Sequence, residues 1–447
     1  MAAASTRIAV ALLVTLLTLL ASACTTKRTA LVSPPASAPI RYALSNGVRV
    51  IIEEHRTSDV VAVQLWVKAG GRDEAANELG LAHYLEHMLF KGTPNRPGRL
   101  IDREIEGTGG RMNAGTSLDF TYYHIVLPAA RAAAGVQILA DIGVNASLDE
   151  GLLEAEKRVV LEEIRLGEDS PMRFLVRKTY ESVFDGHPYG RPVIGTPDLI
   201  RALTREQLVR FYRRLYNPEN FTLVVVGAVN PDEIRDVATR AFGRLPRGGT
   251  ARLPAPPIAD LKPRAVALPR PGTQAYLTIA WMAPKLDHAD TPALDLVVAI
   301  LGQRRASRLT EALRERLGLV NSISAGYTAM QAAGILTVTA QLETDNLARA
   351  EREILAEIQR VRDGGVTDAE RERAITAAEA GREFQMETAE GRAFTLGRAE
   401  TVWRLEDELL YLDRLRSVTI EQMHAAARRY FDPERYVKVT LVPSRTR

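Results

Sequence analysis

Apolar positions in this chain follow two rhythms, one of period two and one of period three to four. Short β-branched and aromatic runs such as "VVAVQLWVKAG" are bounded by turn residues and predict strands. "RYALSNGVRVIIEEH" predicts two extended segments folded about Asn46-Gly47, and "GRMNAGTSLDFTYYHIVLP" a second strand pair. Between them the longer period predicts helices over about 79–91, 130–144 and 151–167. Strands interleaved with longer helices predict an α+β fold in which helices pack on a largely antiparallel sheet.

The pattern occurs twice. "LTREQLVRFYRRLYNPENFTLVVVG", from Leu203, and "VTIEQMHAAARRYFDPERYVKVTLV", from Val418, align at a constant offset of 215. Thr204 then pairs with Thr419, Gln207 with Gln422, Arg213-Arg214 with Arg428-Arg429, and Pro218-Glu219 with Pro433-Glu434. Each copy reads as a capped helix, a stop at Asn-Pro or Asp-Pro, and a strand. The Pro- and Gly-rich stretch between Pro246 and Arg264 reads as a linker. The expectation is two duplicated α/β domains, 40–246 and 265–447, joined by 247–264 and facing each other across a cleft.

Composition adds limits. The 447 residues suit two domains, and 58 basic against 55 acidic residues, mixed along the chain, give no reason to expect a nucleic-acid partner. The first 23 residues read as an export signal: Arg7, an apolar run from Ile8 to Leu20 too short for a confident membrane span, then small residues before Cys24. Cys24 is the single cysteine, so no intramolecular disulfide forms. Its place after Ala21-Ser22-Ala23 resembles a bacterial lipobox, which implies a lipid anchor on Cys24 and a tether over 24–39. Ala21 stands where such boxes usually carry leucine, and Ala-Ser-Ala also suits ordinary signal cleavage. The expected location is therefore the periplasmic face of a membrane, or the periplasm or exterior if the cysteine is not lipidated.

The candidate chemistry lies in "LAHYLEHMLFKGT". On a helix His83, Glu86 and His87 stand at i, i+3 and i+4 and share one face. Two imidazoles one turn apart can bind one Zn²⁺, and the glutamate is placed to act on a water there. Two ordinary surface or core histidines are the alternative, and a third ligand would decide between them. In the 152–166 helix, Leu152, Ala155, Val159, Val160 and Leu166 define an apolar stripe with Glu156 and Glu163 near its middle; Glu154 falls on the polar side and Glu162 at the edge. A carboxylate on a buried face is costly unless paired or bound to a cation, so Glu156 and Glu163 are the candidates, with a buried salt bridge to arginine as the alternative.

"HYLEHMLFKGT", with a glutamate 76 residues beyond its second histidine, resembles the pitrilysin and insulinase family of zinc peptidases, the inverzincins. It is most similar to the branch that holds mitochondrial processing peptidase β subunits and their bacterial relatives. "EKRVVLEEI" resembles that family's glutamate helix. The resemblance implies a duplicated α/β fold, Zn²⁺ held by His83, His87 and Glu163, Glu86 as general base, and Glu156 supporting the site. "NAGTSLDFTYYHIVLP" resembles the family's substrate-binding edge strand, which places Asn113 and Ala114 beside the cleft.

By the 215-residue offset the motif corresponds to Val298, Leu301 and Gly302, so the second domain is expected to carry no metal and to hold substrate instead. Arg314 in "LRERLGLVNSISA" matches an arginine that reaches substrate in the family, but the tyrosine usual seven residues later is Asn321. The implied function is a zinc-dependent endopeptidase acting on peptides or unfolded segments, working as a homodimer or with a related subunit. The alternative is a catalytically silent scaffold or partner subunit of a membrane-attached complex.

Overall fold

The structure, a computed structural model, describes residues 38–247 and 252–444. The expected signal segment, Cys24 and nearly all of the tether lie outside the described residues, as do residues 248–251 of the linker. Among the described residues no helix is long and apolar enough to cross a membrane.

Among the described residues eleven strands form two sheets. The first contains β1 (Ile40–Ala43), β2 (Arg49–Glu54), β3 (Val60–Val67), β4 (Arg111–Thr116), β5 (Thr121–Pro128) and β6 (Phe221–Gly227), in the order β1-β2-β6-β3-β5-β4. The second contains β7 (Arg264–Pro271), β8 (Ala275–Ala283), β9 (Ser322–Ala329), β10 (Gly334–Leu342) and β11 (Val437–Ser444), in the order β7-β11-β8-β10-β9. Apart from β1, the second order repeats the first strand for strand. The repeat extends to direction: β2–β6 and β7–β11 are the parallel neighbours, and every other pair is antiparallel. The duplication read from the 215-residue offset is thus visible in the topology.

The helices used below are α1 (Leu81–Leu89), α2 (Ala132–Asn145), α3 (Glu150–Asp169), α4 (Pro171–Val183), α5 (Arg205–Leu215), α6 (Thr291–Gly302), α7 (Ala389–Val402) and α8 (Ile420–Tyr430). The repeated segments are α5 with β6 and α8 with β11. Both helices begin in a capping box, in which the N-cap hydroxyl accepts from the backbone N–H three residues on and that residue's side chain accepts from the N-cap N–H. The Thr204–Gln207 contacts are 3.3 and 2.9 Å, and the Thr419–Gln422 contacts 3.2 and 2.8 Å.

Period two decides which core each strand residue enters. In β3, Val61, Val63, Leu65 and Val67 join the front core with α1 and α2, while Ala62 and Trp66 point to the back. In β6, Leu223 and Val225 go forward and Val224 and Val226 go back. Both faces are therefore apolar and both are covered, but by different halves of the chain. The back of the first sheet is closed by α7 from the second half, through Ala389, Ala393, Leu396 and Ala399. The back of the second sheet is closed by α4 from the first half, whose Leu175 and Val183 share a core with Ala280, Val437 and Val439. The two halves interlock by exchanging one helix each.

Candidate metal centre

Helix α1 starts abruptly. Gly80 precedes it at φ +96°, a left-handed backbone that glycine adopts readily, and a Cβ there would lie 2.9 Å from the Ile194 carbonyl oxygen. The buried Glu74 carboxylate closes the helix start by accepting from Gly80 N at 3.0 Å and Ala82 N at 2.7 Å. Burial pushes Glu74 up to about 8 against the pull of those two N–H groups. Leu81, Ala82, Tyr84, Leu85, Met88 and Leu89 are buried, which leaves His83, Glu86 and His87 together on the remaining face, as their spacing predicts.

Helix α3, capped by Asp149 at Leu152 N, is fixed beside α1 by the Tyr84 hydroxyl, which donates to the Leu153 carbonyl. That contact brings Glu163 to the histidines: its Oε2 is 3.7 Å from His83 Nε2 and 3.6 Å from His87 Nε2. Tetrahedral ligands about 2.0–2.1 Å from Zn²⁺ stand about 3.3–3.4 Å apart; the three donor atoms here all lie within 4.8 Å of one another, so side-chain adjustments of about an ångström bring them round the ion. Burial, with His87 alongside, lowers His83 to about 4, which keeps it neutral, the form a ligand needs. Among the described residues no other group of three such side chains converges in this way.

His87 is oriented from behind. Its Nδ1 lies 2.9 Å from Glu156 Oε1, and the other oxygen of Glu156 accepts from Lys91 Nζ at 2.8 Å. Burial alone would raise the Glu156 carboxyl, but Lys91 and His87 together hold it below its usual range. This bond assigns the proton to Nδ1 and leaves Nε2 free to ligate. His83 has no such support: its Nδ1 is buried without a partner among the described residues. Glu156→Ala should therefore weaken zinc binding about 10–100-fold. Competition against a chromophoric chelator measures this, and an unchanged affinity would refute the role given to Glu156.

Glu86 is not one of the three donors but lies close enough to feel the charges of His87 and Glu163. The Thr116 hydroxyl, at the end of β4, donates to its Oε2 at 2.5 Å. Burial raises its pKa, and the Thr116 bond and nearby His87 oppose the rise. Among the described residues β4 pairs only with β5, so its outer edge is open, with Asn113 exposed and Ala114 partly exposed there.

Three sequence expectations change. The apolar stripe on α3 is narrower than the wheel predicts: Leu153, Glu156, Val160 and Ile164 are buried, whereas Leu152, Val159 and Leu166 are 40%, 45% and 50% exposed. Glu156 is buried as argued, but the Glu163 side chain is 40% exposed, so its place follows from the neighbouring histidines and not from burial. The helix covers the core on one side only and opens on the other into a cleft of about 1050 Å³. That cleft is lined wholly by residues between His83 and Pro197, so its walls come from the first half. Arg314 is a half-exposed residue near Glu315, and neither it nor Asn321 lines the cleft. Lys91 and Thr116 escaped the sequence reading. Lys91, one turn beyond His87, continues the helical face and could have been found; Thr116 depends on long-range pairing and could not.

A His-x-x-Glu-His helix with a distant glutamate, on a duplicated α+β shell, defines a centre of the inverted zincin class. The insulinase profile (peptidase family M16) matches residues 49–197, and the profile described as peptidase M16 inactive domain matches 202–378. The chain belongs to peptidase family M16. It is 31% identical over 418 residues to an uncharacterized zinc protease of Mycobacterium bovis, covering 91% of this chain and 94% of that one. It is 27% identical over 410 residues to the uncharacterized zinc protease YmxG of Bacillus subtilis, covering 90% and 98%. The fold matches the crystal structure of a protease from Helicobacter pylori with a TM-score of 0.87 at 24% identity, over 91% of this chain and all 100% of that one. It also matches a peptidase M16 inactive domain from Pseudomonas fluorescens, with a TM-score of 0.83 at 21% identity over 91% and 98%. The second half accords with its profile's description, since Val298, Leu301 and Gly302 are buried residues of α6 with no donor to offer a metal.

Proposed function

We propose that this chain is a zinc-dependent endopeptidase acting on extended peptides or unfolded protein segments. The observation that carries the proposal is Glu86, a carboxylate beside the three donors that simple metal storage would not need. His83, His87 and Glu163 would hold the ion, which when bound supplies Lewis acidity toward a water and a peptide carbonyl. Glu86 takes the proton from the attacking water and passes it to the leaving amine. Its raised pKa suits both transfers, and Thr116 restrains one of its oxygens. The open edge of β4 offers the main chain of Ala114 to an extended peptide, with the Asn113 side chain beside it, which gives affinity with little demand on sequence.

The same proposal includes a partner and a location. Arg314 does not line its own chain's cleft, which supports a reading in which it serves the cleft of a second copy or a related subunit. Cys24 is taken as the lipid attachment that holds the protein at the periplasmic face of a membrane. The function is tested by mapping cleavage of a peptide library with and without a chelator. Internal cleavage that stops on chelation and returns with about one equivalent of Zn²⁺ is expected; chelator-insensitive cleavage, or none with zinc supplied, would contradict it.

A further inference from the structure

The cleft beside the metal centre has a chemical character of its own. His83 and Glu163 line one end of it. From there its wall runs along α3, turns at Ser170-Pro171 and continues along α4, where Leu166, Met172 and Val176 are 50%, 39% and 46% exposed. Leu118, Val193 and Ile194 are also part of its lining. Large apolar side chains exposed together, next to a site that takes a ligand, mark a surface that the ligand covers.

The charges of this wall are unevenly paired. Arg177 is paired with both Glu168 and Glu181, and Lys178 also pairs with Glu181, so this group of four is neutralised locally. Arg173, on the first turn of the same helix, has no ion pair or side-chain hydrogen bond among the described residues. The Arg191 side chain, also in the lining, donates among the described residues only to the Glu74 carbonyl, so the wall combines apolar contact area with three arginines and three glutamates and has no excess of either sign.

Chain direction decides which part of a peptide meets this wall. The lining includes Thr116, Ser117 and Leu118, which follow one another out of the C-terminal end of β4. A peptide paired antiparallel with β4 runs the other way, so its N-terminal portion lies at the Thr116 end and its C-terminal portion toward Arg111. Thr116 also contacts Glu86, so the bond to be cut lies near that end. The residues just N-terminal to it then enter the cleft, while those C-terminal to it follow Ala114 and Asn113.

We propose that the α3–α4 cleft is the subsite for the residues immediately N-terminal to the scissile bond, and that it selects large apolar side chains and rejects lysine and arginine. Leu166, Met172 and Val176 supply the apolar contact. Lysine and arginine are rejected because the apolar wall desolvates their charge, while Glu168 and Glu181 are already paired with Arg177. The inference rests on the peptidase reading and deepens it by naming the substrate class.

The test has a binding arm and a cleavage arm. In the first, Zn²⁺-supplemented Glu86→Gln protein is titrated against fluorescein-labelled twelve-residue peptides that differ only in carrying two Phe or two Lys in their N-terminal half. The Phe peptide should bind at least about tenfold more tightly, and Met172→Ser combined with Val176→Ser in the same background should reduce that ratio at least about threefold by weakening Phe binding. Equal affinities, or a ratio unmoved by Met172→Ser with Val176→Ser, would overturn the inference. In the second arm wild-type protein cleaves a randomised library and the cuts are mapped by mass spectrometry. Phe, Leu and Met should be enriched, and Lys and Arg depleted, in the three residues before each cut. Cleavage without that bias, or with the bias only after the cut, would overturn the subsite while leaving the peptidase reading intact. The Phe preference in binding with no cleavage of any peptide would overturn the peptidase reading while upholding the cleft's selectivity.

Discussion

Glu86→Gln should lower kcat/KM for any cleaved peptide by about a thousandfold while leaving zinc content and melting temperature at wild-type values. Glutamine has nearly the same shape and can still accept the Thr116 hydroxyl that reaches Oε2 in the parent. It cannot take a proton from water, so the loss falls on the chemical step. Steady-state kinetics with metal analysis of the same preparation separates the two effects. Retention of full activity would remove Glu86 from the mechanism, and loss of zinc along with activity would make it a ligand and not a base.

Gly397→Leu should be the most damaging single substitution in the shell. A Cβ at Gly397 on α7 would lie 2.0 Å from Trp66 Nε1 and 2.5 Å from Trp66 Cδ1. The indole cannot yield: it is fully buried, stacked on Tyr122 at 4.7 Å, met edge-on by Phe394 at 5.2 Å, and bonded to Gln64 Oε1 at 2.8 Å. Relief requires α7 to lift from the back of the first sheet, at an expected cost of about 4 kcal/mol or more. The variant should be largely insoluble or melt far below the parent. Gly381→Ala is the control, because nothing lies within 4 Å of a Cβ there and a helical alanine should be neutral or slightly stabilising. If Gly397→Leu melted like wild type, the interlocking of the two halves through α7 would be wrong.

How much of this was legible beforehand depended on how local each feature is. His83, Glu86 and His87 share a face because of helical spacing alone, and the repeat at 215 residues predicted paired α5–β6 and α8–β11 units whose caps match bond for bond. Glu156 was legible from its burial. Glu163 was singled out by the same argument and lies where the resemblance implied, yet its half-exposed carboxylate shows that burial was not the reason. A helical wheel assumes that the apolar arc faces protein throughout, whereas Leu152, Val159 and Leu166 border open space. The exchange of α4 and α7 was half legible. Apolar residues on both faces of "VVAVQLWV" require two covering layers, but period two cannot say which part of the chain supplies the second. Thr116 was hidden for the same kind of reason, since its contact with Glu86 exists only once β4 is paired beside α1.

The central claim is that His83, His87 and Glu163 form one zinc site. The most direct measurement is metal content by mass spectrometry of wild type, Glu163→Ala and Glu86→Gln after dialysis against a weak chelator. The account predicts about one Zn²⁺ per chain in wild type and in Glu86→Gln, and nearly none in Glu163→Ala, whose two remaining imidazoles are too few to retain the ion. Wild-type protein without zinc, or Glu163→Ala that keeps a full equivalent, would contradict it.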